Sequence, residues 1–179
     1  MVKEICATLL TLCSTVLTGF DFEYSNNKQE KFVMGITECT IVINQNISPE
    51  KRVPVLISVA QAILESDWGE SRFAREANNF YGIIQTDPTE PHIKSLNSNV
   101  LLKTYGRKCE SVHDYIMLLN TGSYFKEFRD ERLKQALFTR EVDYNKLISS
   151  LKNYTEDPFY QIKIKEIIEI LREQYFGGI

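Results

Sequence analysis

The segment Ala60-Gln61-Ala62-Ile63-Leu64-Glu65-Ser66-Asp67-Trp68-Gly69 constrains this chain more than any other. Around it Val53, Leu56, Ile57, Ala60, Ile63 and Leu64 recur at helical spacing. A helix over about 49–66 therefore presents an apolar face and belongs to the core. Ser48-Pro49-Glu50 reads as its N-cap, with proline in the first turn. Pro54 falls early enough for its missing N–H to be tolerated, and Gly69 ends the run. Glu65 then stands in the last turn of an otherwise apolar helix, with an indole just beyond it. Unpaired carbonyls at a helix end and apolar neighbours both disfavour a carboxylate anion. A carboxylic acid that keeps its proton near neutrality can act as a general acid. The competing reading is a glutamate pointing into solvent, the common fate of that residue type.

The bulk properties narrow the classes. With 179 residues, 43% of them apolar, the chain supports one cored domain. Net charge is −3, and Lys and Arg are scattered among Asp and Glu, the pattern of a solvated surface. No basic stripe interleaved with aromatics points to nucleic acid. The four cysteines, Cys6, Cys13, Cys39 and Cys109, lack CxxC spacing, and His92 and His113 lie in different segments. Neither a metal site nor a cofactor is expected. The plain reading of the cysteines is isolated thiols. A Cys39–Cys109 disulfide stays open for an exported chain, because spacing does not give geometry. Lys3 precedes an apolar run over 5–17 that is like a short signal-peptide core, without a clean small-x-small cleavage site. Residues 1–20 are thus a signal peptide or an N-terminal helix. Their length and their Thr and Ser content argue against a stable membrane span.

Further along, 21–31 reads as a polar linker that runs into a helix over about 29–43, so that 21–45 holds linker and N-terminal helix. A short helix over 70–77 is closed by Asn78-Asn79. From 83 to 106, Pro- and Asn-rich stretches flank Val100-Leu101-Leu102, which suggests a loop or small β-lobe with one or two strands. Helices resume over 112–119, capped by Ser111, and over 125–138 and 144–151. Asp157-Pro158 opens the last, with Ile162, Ile164, Ile167, Ile168 and Leu171 facing inward. The expected fold is mainly α (α+β), a helical domain with a small lobe inserted at about 83–106.

Three ordered blocks carry a resemblance. Ala60-Gln61-Ala62-x-x-Glu65-Ser66-x-Trp68-Gly69-x-Ser71-x-x-Ala74 continues to Asn78-Asn79-x-x-Gly82. Tyr105-Gly106-x-x-x-Glu110-Ser111-Val112-x-Asp114-Tyr115 follows, extended by Tyr124-x-x-x-Phe128-Arg129, and Tyr154-Thr155-Glu156-Asp157-Pro158-x-Tyr160 closes the set. Together, over about 46–171, they resemble the bacterial peptidoglycan glucosaminidases of glycoside hydrolase family 73, which include the FlgJ hydrolase domain and the Bax-type enzymes. The resemblance implies a lysozyme-like domain over 46–176 that cuts the β-1,4 bond after N-acetylglucosamine in peptidoglycan glycan strands. It implies Glu65 as general acid, a second carboxylate from the lobe, where Glu90 is preferred to Asp87, and Tyr154 beside the scissile bond. Ser66, Trp68, Asn79, Tyr81 and Tyr105 are the implied substrate-binding set, with Trp68 better placed to pack under Glu65 than to stack on sugar. Asp114 matches a family position but suits a helix-surface or capping role.

The family's usual Gly between the Ser and Trp of the motif is Asp67 here, and this second acid is expected either to push the Glu65 pKa higher or to disturb the pocket. The short, Pro-rich lobe puts the second acid in doubt. Two alternatives follow: a lytic transglycosylase, using one Glu and leaving an anhydro-muramyl product, or an inactive glycan-binding or assembly module. The expected location is the periplasm or cell envelope after export, with a phage-type lysin lacking a cleaved signal as the alternative. Oligomeric partners are left open.

Overall fold

The computed structural model describes residues 27–177 except 97, 140 and 153. The leader at 1–20, most of the linker, Cys6 and Cys13 lie outside the described residues. The chain divides into two units, 1–31 and 32–179. Of the first, only 27–31 is described, the opening turn of a helix, where Gln29 N–H bonds the Asn27 side chain at 2.9 Å.

That helix, α1, runs Lys28–Gln45. The next does not start at Pro49 as expected. Pro49–Lys51 is a separate 3-10 turn, and α2 runs Val55–Ser66 with Pro54 as its N-cap. The reason is local. Pro54 cannot donate, and a proline holds the residue before it in extended backbone. The Asn44 side chain then takes up the stranded backbone of Val53, accepting from its N–H at 3.1 Å and donating to its carbonyl at 2.8 Å.

α2 is core on nearly every side, from Leu56 to Ile63. Its end is unusual. Asp67, Trp68 and Gly69 follow one another at φ 51°, 56° and 80°, three left-handed residues in a row. Gly69 is required twice over, since a Cβ there would also meet the Phe32 ring at 2.7 Å. The Gly-to-Asp departure at 67 now has a structural meaning: this is the left-handed C-cap position, where glycine carries no Cβ penalty. Asp67→Gly is expected to gain roughly 0.5–1 kcal/mol, read as a higher urea midpoint.

α3 (Arg72–Ala77) is capped by Ser71, which accepts from Ala74 N–H, and ends in left-handed Asn78. The inserted lobe is a two-stranded antiparallel sheet, β1 (His92–Lys94) and β2 (Leu101–Lys103), in register His92–Lys103. α4 runs Lys108–Thr121 with Glu110 bonded back to the Arg107 and Gly106 amides. Ser111 is therefore inside the helix and not its cap. It is buried and accepts from Phe80 N–H at 3.1 Å, tying α4 to the segment after α3. A 3-10 turn (Ser123–Phe125), α5 (Lys126–Phe138), α6 (Tyr144–Ser149) and α7 (Tyr160–Gln174) complete the chain. α7 buries Tyr160, Ile164, Ile168 and Leu171 against α2. Ile162 was expected inward but is exposed, because it falls off the 160-164-168-171 stripe.

The cysteine expectation changes. Cys39 and Cys109 are disulfide-bonded, with Cα atoms 5.2 Å apart, so the reading as isolated thiols does not hold for them. The bond joins α1 to the start of α4.

Candidate active site

Glu65 sits where α2, α4, α7 and the Tyr81-Gly82 segment converge. Gly82 brings backbone to the carboxyl: a Cβ built there would lie 3.8 Å from Glu65 Oε2, and its φ of 65° suits glycine. Glu65 is half-buried, and burial pushes its pKa up from the ordinary 4.5. A hydrogen bond from the Tyr160 hydroxyl opposes that rise. Asp67 does not contribute to it as expected. Its side chain is exposed beyond the helix end, where water screens it.

Behind the acid lies a layer of tyrosines. Tyr81 and Tyr115 stack at 3.9 Å with planes 6° apart, and Tyr154 and Tyr160 stack at 5.5 Å and 15°. Tyr154 donates to the Tyr81 carbonyl at 3.1 Å, so its hydroxyl hydrogen is spoken for and its oxygen is left as an acceptor. Glu65 acts electrostatically on Tyr154, Tyr160 and Tyr115, raising all three phenol pKa values along with burial. The residue carried over for catalysis, Tyr154, is thus at the acid.

The other sequence-predicted residues separate by role. Ser66 is fully buried, donating to Ala62 carbonyl at 2.6 Å and accepting from Gly69 N–H at 2.9 Å. It pins the left-handed turn and has no face for a sugar. Asn79 is also buried. Its side chain bonds the carbonyls of Ile83 and Lys103 and the N–H of Ile83, at 2.9, 3.0 and 3.0 Å. It holds the lobe to the helical domain. Tyr81 is buried with its hydroxyl 2.9 Å from Ser58 Oγ, so it supports the site from beneath. Trp68 packs against the core, its ring 6.5 Å from Tyr175. Tyr105 is half-buried, and its hydroxyl donates to Asp114 at 2.8 Å, as does Lys103. Asp114 is thus a surface tie rather than a cap. Glu90 is exposed in the turn before β1, and no described contact joins it to Glu65.

Sequence reading gave no role to Gln61, Tyr115 and Tyr160. One signal was available: Gln61 lies four residues before Glu65, on the same helical face, at a position otherwise filled by apolar side chains. Among the described residues no cluster of three or more His, Cys, Asp or Glu could hold a metal ion, and no helix is long and apolar enough to cross a membrane.

The described residues thus form a mostly helical domain with a small two-stranded lobe and a half-buried glutamate at the end of a core helix. The sequence model of the glucosaminidase family, described as mannosyl-glycoprotein endo-beta-N-acetylglucosaminidase, matches residues 43–173, and the chain belongs to that family. It is similar to exo-glucosaminidase LytG of Bacillus subtilis (strain 168), 30% identical over 125 residues, which is 63% of this chain and 42% of LytG. It is also similar to protein bax of Escherichia coli (strain K12), 29% identical over 106 residues, 58% of this chain and 37% of that protein. The chain thus spans about two fifths of the length of these curated relatives. Among solved structures, the catalytic domain of the autolysin Auto from Listeria monocytogenes matches with a TM-score of 0.62. The match is 18% identical and covers 90% of this chain and 93% of that one, which shows the shared fold.

Proposed function

We propose that this chain is a peptidoglycan hydrolase that cleaves the β-1,4 bond after N-acetylglucosamine, with Glu65 as general acid. The observation that carries the proposal is the Glu65 carboxyl: half-buried, raised in pKa, and set between the Gly82 backbone and the Tyr154–Tyr160 pair. Membership of the glucosaminidase family and the likeness to exo-glucosaminidase LytG support a glycan containing N-acetylglucosamine as the substrate.

In this mechanism the protonated Glu65 gives its proton to the glycosidic oxygen. The C1–O bond breaks, its electron pair goes to that oxygen, and positive charge develops at C1 and the ring oxygen. The Tyr154 oxygen accepts from the acetamido N–H or from a water. Attack on C1 then comes by one of two routes. Water activated by Glu90, which takes its proton, inverts the centre; alternatively the substrate's own acetamido oxygen closes an oxazolinium ring on C1, and water then breaks that C1–O bond with net retention, returning a proton to the Glu65 carboxylate. The exposed position of Glu90 favours the second. The Cys39–Cys109 bond supports an oxidising compartment, and so export.

Digestion of purified peptidoglycan, with mass spectrometry of the products, tests the reading. New reducing-end N-acetylglucosamine is expected. Anhydro-muramyl ends would instead identify a transglycosylase, and bound but uncut glycan would identify a binding module. The anomer released first reports inversion or retention, and the size distribution of early products separates internal from terminal cutting.

A further inference from the structure

A directed line of hydrogen bonds runs through the core to Tyr160, beside Glu65. The Tyr115 hydroxyl donates to Gln61 Oε1. That fixes the amide so that Nε2 faces α7, where it donates to the Tyr160 hydroxyl oxygen at 2.7 Å. With an amide on its acceptor side, the Tyr160 hydroxyl keeps its own hydrogen to donate, and the Glu65 carboxyl, one helical turn from Gln61 and close enough for each group to shift the other's pKa, is the acceptor beside it. Three helices supply the members: α2 carries Gln61 and Glu65 one turn apart, α4 carries Tyr115, and α7 carries Tyr160. All but Glu65 are buried.

From this geometry we infer that Tyr160 is the positioning residue of the acid, and that Gln61 and Tyr115 set the direction of its hydroxyl hydrogen. The inference rests on the proposed role of Glu65. Its chemical content is specific. When Glu65 releases its proton to the glycosidic oxygen, the carboxylate left behind gains charge. A donor already aimed at it strengthens as that charge forms, and needs no reorganisation. The supply of the proton and the holding of the resulting anion are thus divided between Glu65 and Tyr160. The titratable groups that the carboxyl acts on electrostatically are Tyr160 from α7, Tyr154 from the segment before it and Tyr115 from α4. Burial raises the Glu65 pKa, and the Tyr160 hydrogen bond lowers it.

The test is titration of the Glu65 carboxyl by ¹³C NMR in the full chain, wild type against Tyr160→Phe. The midpoint is expected to move to higher pH in the variant, because a donor to the anion is lost while burial remains. On peptidoglycan, kcat is expected to fall roughly 10- to 100-fold, with KM within about twofold. Gln61→Leu moves the midpoint the same way, and it keeps the test open if Tyr160→Phe does not fold. A merely structural Tyr160 would give the opposite sign: loosened packing admits water and brings the midpoint down. An unchanged or lowered midpoint in both variants overturns the inference. Thr40→Val is the control for general destabilisation. It removes a buried hydroxyl that bonds Ile36 and Ser58, and should leave the Glu65 midpoint in place. A wild type that cuts no glycan, but whose Glu65 midpoint still responds to Tyr160→Phe, would sink the proposed function and leave the positioning role standing.

Discussion

Glu65→Gln is expected to lower the rate of peptidoglycan cleavage by about 10²- to 10⁴-fold, the usual contribution of a general acid. The same substitution should make the protein more stable at neutral pH. The physical reason is the environment that suits the acid to catalysis. Burial raises the Glu65 pKa above its ordinary 4.5, so the folded chain binds this proton more tightly than the unfolded chain does. The stability from this group is fully present below the unfolded value and is lost as pH rises through the folded one. Above that range the native state holds a half-buried anion that the unfolded state would place in water. Gln keeps the shape and carries no charge. The difference in melting temperature, variant minus wild type, should therefore be small at pH 4 and grow toward pH 7. Thermal unfolding across that range checks it, and a difference that shrinks with pH would contradict the burial argument. Cleavage that survives at wild-type rates would remove Glu65 from the mechanism.

Breaking the Cys39–Cys109 bond is the second large effect. The two residues are 70 apart in sequence, and closing a loop of that length removes enough unfolded-state freedom to stabilise the fold by about 4 kcal/mol. Cys39→Ser with Cys109→Ser, or the wild type in reductant, should melt on the order of 10 °C lower. The bond also bears on the site. It holds α1, whose Thr40 hydroxyl bonds Ser58, which in turn meets the Tyr81 hydroxyl, and it holds the start of α4, which carries Tyr115. A reduced protein should therefore lose activity at a lower temperature than the oxidised one. Scanning calorimetry with and without reductant, and activity measured over the same range, test both points. Coincident melting curves would mean that the bond is marginal in solution.

Much of this protein was legible in residue order alone. Helical spacing located α2, α5 and α7, because a core-facing helix must repeat its apolar residues every three or four positions. Runs of Pro and Asn marked the lobe, because those residues disfavour helix. The motif around Glu65 was visible for the same reason, being short and contiguous. Even the late start of α2 was in principle readable, since Pro54 restricts Val53 by a purely local clash.

What the linear order left undecided depended on partners far away along the chain. Whether Glu65 is exposed or buried turns on Tyr115 and Tyr160, 50 and 95 residues further on, and no spacing rule connects them. Ser66 and Asn79 read as sugar contacts in the motif, but their hydrogen bonds spend them on the turn and the lobe. Cys39 and Cys109 became a pair only when α1 and α4 met. Local periodicity is a property of neighbouring residues, so sequence carries it. The pKa of an acid, the direction of a hydroxyl hydrogen and the bonding of two thiols are properties of packing, and only the folded chain supplies that.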